Sequence, residues 1–137
     1  MSALLTPDHF DLEATTGRIF HLGLPGLHRL MDEPWQGDAN GWVTVLRRAR
    51  AAGLATNLEL ASIPAQRIHE LVRPCLPELD YLIVNDTEIG AISGLATLRD
   101  DVTDIDACAA AARAVLAHGV RRMAAVHFPR GAVAVTA

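Results

Sequence analysis

The chain has 137 residues, half of them apolar, with a formal charge of −4 and a pI near 5.8. That length suits one domain and is short for two, and the acidic balance argues against a nucleic-acid partner, since phosphate backbones are held by basic patches. All twelve basic residues are arginine, so a Walker-type phosphate loop, a Schiff-base lysine and a response-regulator receiver are excluded.

The first strand is expected at 18–23, an apolar stretch that stops at a glycine. Residues 24–38 hold Gly26, Pro34 and Gly37 and read as a loop with at most one short turn. Asn40 caps a helix over 41–53, where Val43, Leu46 and an alanine face recur at helical spacing and Gly53 closes the end. The second strand spans 54–60. Pro64 suits the first turn of a helix reaching about Leu76, with Ile68, Leu71, Val72 and Cys75 on one face. Pro74 conflicts with its last turns and kinks or stops it. A third strand, 81–85, runs directly into a short helix ending at Gly94. Residues 96–104 form a polar connector, and Asp104 or Thr103 caps an Ala-rich helix closed by Gly119. The fourth strand covers 121–128, and Pro129–Gly131 turns the chain into a fifth that begins at 132.

Apolar strands alternating with helices imply an α/β fold: a three-layer, mostly parallel sheet covered on both faces, with one antiparallel strand at its end. The ends of the chain read as a single partial domain, cut from a larger α/β unit, whose exposed sheet edges favour self-association into a homo-oligomer. Cys75 and Cys108 lie in helical patterns far apart, which fits a reduced, cytoplasmic protein. No apolar run approaches membrane-spanning length, and the first ten residues lack the pattern of a signal peptide.

Ligands of open α/β sheets bind at the carboxyl ends of the strands. The third strand ends there in Asn85-Asp86-Thr87-Glu88. An amide and a hard carboxylate one turn apart, at a helix N-terminus, suit a hydrated magnesium ion and phosphate. The same spacing is also that of a capping box, which satisfies free backbone donors. The two roles are compatible.

The stretch 76–94, with Leu79-Asp80 before the strand and Asn85-x-x-Glu88 after it, resembles the middle of the PfkB, or ribokinase-like, carbohydrate kinases. Residues 46–60 look like that family's helix–Gly–strand unit, and 110–137 are similar to the unit preceding its catalytic motif. The resemblance implies transfer of the γ-phosphoryl of ATP, with Mg²⁺, to a sugar or nucleoside hydroxyl. It implies that Asn85 and Glu88 hold magnesium, its waters and the nucleotide phosphates. It places His127 and Gly131 near the nucleotide, although the family's Thr-x-Gly-x-x-Gly is here Val126-His-Phe-Pro-Arg-Gly131, with only the last glycine kept. The general base of the family sits in an Asp-Thr-x-Gly-Ala-Gly-Asp motif that this sequence lacks, so no catalytic residue is assigned and the chain alone is expected to be inactive. The alternative is a non-catalytic ligand-binding or protein-interaction module derived from such a kinase.

On the same reading the first strand end faces the substrate cleft. Gly23, Asn57 and Glu59 become substrate-proximal candidates, the last two sharing a strand face. Asp32 and Glu33 either approach the substrate or sit in a solvated loop. The six histidines show no i, i+4 pair and no Cys partner at ligand spacing, so a zinc site is not expected. His21 and His127 are read as core or strand-end residues, Asp100, Asp101, Asp104 and Asp106 as capping and solvated acids, and Trp35 and Trp42 as core packing.

Overall fold

A computed structural model describes residues 4–137. After a 3-10 turn at Pro7–His9, strand β1 spans Ile19–Leu22 and is followed by the one-turn helix α1, Arg29–Asp32. Helix α2 covers Gly41–Ala51. Asn40 starts it as expected: Oδ1 accepts from the Val43 N–H at 3.1 Å, and Nδ2 donates to the Leu71 carbonyl at 3.0 Å. One buried amide thus caps α2 and ties it to the next helix.

Strand β2 is Ala55–Leu58, and helix α3 is Ala65–Val72. The expected extension of α3 to Leu76 does not occur. The chain tightens into a 3-10 segment over Arg73–Glu78, because Pro74 and Pro77 have no N–H to continue an α ladder. Strand β3 (Tyr81–Asn85) and helix α4 (Asp86–Ser93) fall where expected, and Gly94 ends α4 at φ 78°. The segment read as a polar connector is a small hairpin, β4 (Leu98–Arg99) with β5 (Val102–Thr103). Its two central residues, Asp100 and Asp101, have φ of 51° and 61°, which Asp tolerates at a tight turn. Asp104, not Thr103, caps α5 (Ile105–Ala117) by accepting from the Ala107 N–H. Strands β6 (Met123–Phe128) and β7 (Gly131–Thr136) close the chain as an antiparallel pair.

The main sheet has the order β1-β2-β3-β6-β7, parallel except for β7. Every crossover steps in one direction, so right-handed connections put all the helices on one face. Burial agrees. Leu22, Leu58, Leu82, Val84, Ala124 and Val126 face the helices and are buried, while Ile19 and Ile83 on the other face are 62% and 49% exposed. The described residues therefore supply two layers; they leave uncovered the face on which a second helical layer was expected. The core lies between the sheet and α2, α3, α4 and α5. It includes Trp42, Met31 and both cysteines, which are buried and unbridged. Burial pushes both thiols above their usual range.

One close contact fixes how α4 meets the hairpin. A Cβ on Gly90 would lie 2.8 Å from Thr97 Oγ1 and 3.1 Å from the Leu95 carbonyl oxygen. Thr97 is buried, and its hydroxyl donates to the Asp86 carbonyl at 2.6 Å. Alanine in a helix is ordinarily worth about 1 kcal/mol over glycine. Here the overlap with the Thr97 hydroxyl and the Leu95 carbonyl outweighs that gain, so Gly90→Ala is expected to lower stability by about 1–2 kcal/mol in urea titration. A stabilised variant would show that this contact relaxes at no cost.

Candidate functional site

Strand β3 delivers Asn85 to the carboxyl rim of the sheet, where it becomes the N-cap of α4. The Asn85 side chain accepts from the Glu88 N–H at 2.8 Å, and Glu88 Oε2 accepts from the Asn85 N–H at 2.9 Å. This is the reciprocal capping box, formed in full. It uses one oxygen of each side chain. Asn85 Nδ2 and Glu88 Oε1 make no hydrogen bond to the described residues, and both side chains are half-buried. The cap thus leaves one further polar atom on each side chain at the N-terminus of an eight-residue helix.

His127 pairs in register with Asn85 on the adjacent strand β6, and it is exposed on the uncovered face. The core reading of this histidine is thereby corrected. Gly131 opens β7 at φ 156°, directly after the Phe128–Arg130 turn. On the helix side of that turn, a cavity of about 280 Å³ is lined by Asp101, Val102, Thr103, Ile105, Phe128, Pro129 and Arg130. The hairpin forms one wall of it and so was missed with the hairpin; paired aspartates ahead of the β-branched Val102-Thr103 were its available signal.

Asp86 does structural work beside the candidate pair. Its Oδ2 accepts from the Thr103 hydroxyl at 2.6 Å and its carbonyl from Thr97, which clamps the hairpin onto α4.

At the other end of the sheet, His21, Asn57 and Glu59 form one chain of contacts. His21 Nε2 lies 2.9 Å from Glu59 Oε2, and Asn57 Nδ2 lies 2.7 Å from His21 Nδ1. An Asn57 N–H donating to Nδ1 leaves the Nε2–H for Glu59. Asn57 is 8% exposed and its Oδ1 has no hydrogen-bond partner among the described residues. Gly23 lies against the backbone and Cβ of Glu59, at 3.4 Å from where its own Cβ would stand. The structure therefore joins Gly23, Asn57 and Glu59 and adds His21. It does not join them to Asn85: Asn57 pairs in register with Tyr81, four residues before Asn85 on β3.

Asp32 is held by protein partners. Its Oδ1 accepts from the Gly26 N–H at 3.0 Å and from Trp42 Nε1 at 2.9 Å, and Arg67 approaches Oδ2 at 3.5 Å. Glu33 pairs with Arg29 one turn away in sequence. No group of three or more His, Cys, Asp or Glu that could hold a metal is found among the described residues. None of the helices described is long and apolar enough to cross a membrane.

The order, register and crossover pattern define a ribokinase-like α/β fold. Solved structures with this arrangement include the pyridoxal kinase from Staphylococcus aureus in complex with pyridoxal, at TM-score 0.58 and 13% identity, covering 86% of this chain and 41% of that one. The same enzyme in complex with AMP-PCP and pyridoxal matches at TM-score 0.53 and 16% identity, over 80% and 35% of the two chains. The crystal structure of Sa239 matches at TM-score 0.54 and 20% identity, over 72% and 29%. The chain thus spans less than half the length of these solved chains. No protein-family model and no curated protein matches it.

Proposed function

We propose that this chain is the central part of an ATP- and magnesium-dependent kinase acting on a hydroxyl of a sugar or nucleoside. The observation that carries the reading is the pair Asn85 and Glu88, which keeps one polar atom each beyond its helix cap, at the carboxyl rim of β3 and the N-terminus of α4. A single carboxylate fits magnesium, which retains waters and shares substrate phosphates rather than filling a protein cage. Glu88 would hold such an ion through its waters, Asn85 Nδ2 would donate to a phosphate oxygen, and the α4 terminus favours the negative charge. Bound magnesium supplies charge neutralisation of the phosphates. His127, beside Asn85, and Gly131, at the turn, would line the nucleotide side. Gly23, Asn57 and Glu59 would contact substrate. Fold likeness to kinases solved with AMP-PCP, ADP and pyridoxal supports the class and adds pyridoxal to the acceptors to be tested.

The second reading is a non-catalytic ligand-binding or interaction module. What favours it is that both key side chains already use an oxygen on the cap.

Glu88→Gln separates the two roles. A glutamine at the third helical position still accepts from the Asn85 N–H, so the helix stays capped, while the carboxylate charge is removed. In calorimetric titration, wild-type protein is expected to bind ADP with Mg²⁺, and to bind it more weakly once EDTA removes the ion. The variant is expected to lose about tenfold in affinity with Mg²⁺, roughly 1.4 kcal/mol, and to respond no further to EDTA. Its thermal midpoint should stay close to wild type. Equal binding by both proteins, or none by either, would discard the site. A panel of sugars, nucleosides and pyridoxal should give no turnover with the 137-residue chain, since no catalytic base is assigned.

A further inference from the structure

We propose that the Asn40–Gly41 peptide is a site of spontaneous deamidation held shut by the fold, where the reaction leaves a one-way mark on chains whose α2 start has come apart. Asparagine before glycine is the pairing most prone to this reaction, because no side chain hinders attack by the glycine nitrogen. The sequence contains three asparagines, and only Asn40 precedes a glycine.

Two separate demands put this labile pair here. Asn40 is 2% exposed, and it both accepts from the Val43 N–H and donates to the Leu71 carbonyl. Aspartate would cap the helix equally well, yet it has no N–H for Leu71. Gly41 sits where no side chain fits: a Cβ would lie 3.1 Å from both Met31 Sδ and Pro7 Cγ, and 3.2 Å from Met31 Cα.

The reaction joins the Gly41 backbone nitrogen to Asn40 Cγ and breaks the Cγ–Nδ2 bond. The proton lost by the Gly41 nitrogen balances the one that ammonia carries away. Water then opens the succinimide at either carbonyl, leaving aspartate or isoaspartate at position 40. The folded chain blocks the first step. With ψ at 172°, the Gly41 nitrogen stands gauche to the Asn40 Cβ, whereas a five-membered ring needs them nearly eclipsed. Turning ψ would swing α2 away from its cap and break both amide hydrogen bonds. The product does not rebuild the cap. A carboxylate oxygen would face the Leu71 carbonyl oxygen with no proton between them, and isoaspartate adds a methylene to the main chain ahead of the helix.

Incubation in mildly alkaline buffer, with and without urea, tests this. Mass spectrometry of the tryptic peptide 30–47 and enzymatic methylation of isoaspartate read the outcome. In urea the peptide should gain the mass of an amide-to-acid exchange and become methylatable. Without urea, conversion should be slower on the order of a hundredfold, since only chains that open at α2 react. Trp42→Ala, which loosens the same helix, should speed the reaction without urea on the order of tenfold and leave the urea rate unchanged. Gly41→Ala, read in urea alone so that its folding does not matter, should slow it on the order of tenfold. Asn40→Asp, a copy of one product, should melt several degrees below wild type. Equal rates with and without urea, an amide that survives in urea, or an Asn40→Asp chain as stable as wild type would each overturn the proposal.

Discussion

Trp42→Ala is expected to remove about 3–5 kcal/mol of folding stability, the range for deleting a fully buried aromatic side chain. Trp42 has no solvent exposure and sits one residue inside α2, against His28 and in the same core as Met31. Its loss acts twice. The cavity forfeits packing between α2 and the α1 loop, and Asp32 loses the indole N–H that satisfies Oδ1 together with the Gly26 backbone. Trp42→Phe retains most of the volume and only breaks the hydrogen bond, so it should cost about 1–3 kcal/mol. Urea unfolding followed by far-UV circular dichroism measures both. Equal losses for the two variants would mean that the hydrogen bond, not the packing, dominates; small losses for both would mean that the loop repacks. Folded domains have only about 5–15 kcal/mol in hand, so the alanine variant should be partly unfolded at 37 °C.

Asp80→Asn should cost about 2–4 kcal/mol at neutral pH, and that cost should disappear in acid. Asp80 is 5% exposed at the start of β3 and links three strands. Its Oδ2 accepts from the Thr56 N–H at 2.9 Å, and Oδ1 meets Arg121 at 3.0 Å and Arg122 at 3.5 Å. Burial alone would raise its pKa. The Thr56 N–H and the two guanidinium groups outweigh that and hold the carboxyl below the ordinary carboxylate range. A depressed folded-state value means that the stabilisation is complete above the unfolded pKa, about 3.9. It is lost as pH falls through the lower, folded value. The wild-type and Asp80→Asn stability curves should therefore run parallel from pH 6 to 8 and converge below about pH 4. A constant gap down to pH 3 would show that the hydrogen-bond geometry, rather than the charge, carries the effect. The Asp38–Arg47 pair, with Asp38 lowered by Arg47 and then Thr44, follows the same sign from a more exposed position.

The elements that were legible in the sequence are those with local signatures. Asn40 before an amphipathic run, Gly94 after a short one, and Asp104 three residues before Ala107 each announced a cap that the structure contains. Strand β3 was readable because its apolar run ends abruptly in Asn85. What the sequence concealed depends on other parts of the chain. The hairpin of Leu98–Thr103 is too short to show periodicity and is held by Asp86, eleven or more residues upstream. The bare face was hidden because Ile19, Ile83 and Ala125 look no different from buried strand residues until strand order is known. The site was legible in part. Asn85 and Glu88 stood out by type and spacing, and Asn57 and Glu59 by being polar in a strand. His21, which links that second pair, reads from the sequence only as a core or strand-end residue, because contacts across 36 and 38 residues leave no trace in spacing. Asp32 reads from the sequence as either a cleft acid or a solvated loop residue because its partners, Trp42 and Arg67, come from two later helices.

Strand order in the parallel part of the sheet follows chain order, with α4 docked beside α3 and α5 beside α4, while α2 meets α3 largely through the 3-10 segment Arg73–Glu78. A polypeptide emerging from the ribosome amino end first could therefore lay each βα unit on a template already in place, with no strand inserted between two earlier ones. Such growth keeps loop closures short, which speeds assembly. At every stage it presents a single fresh border to solvent or a chaperone.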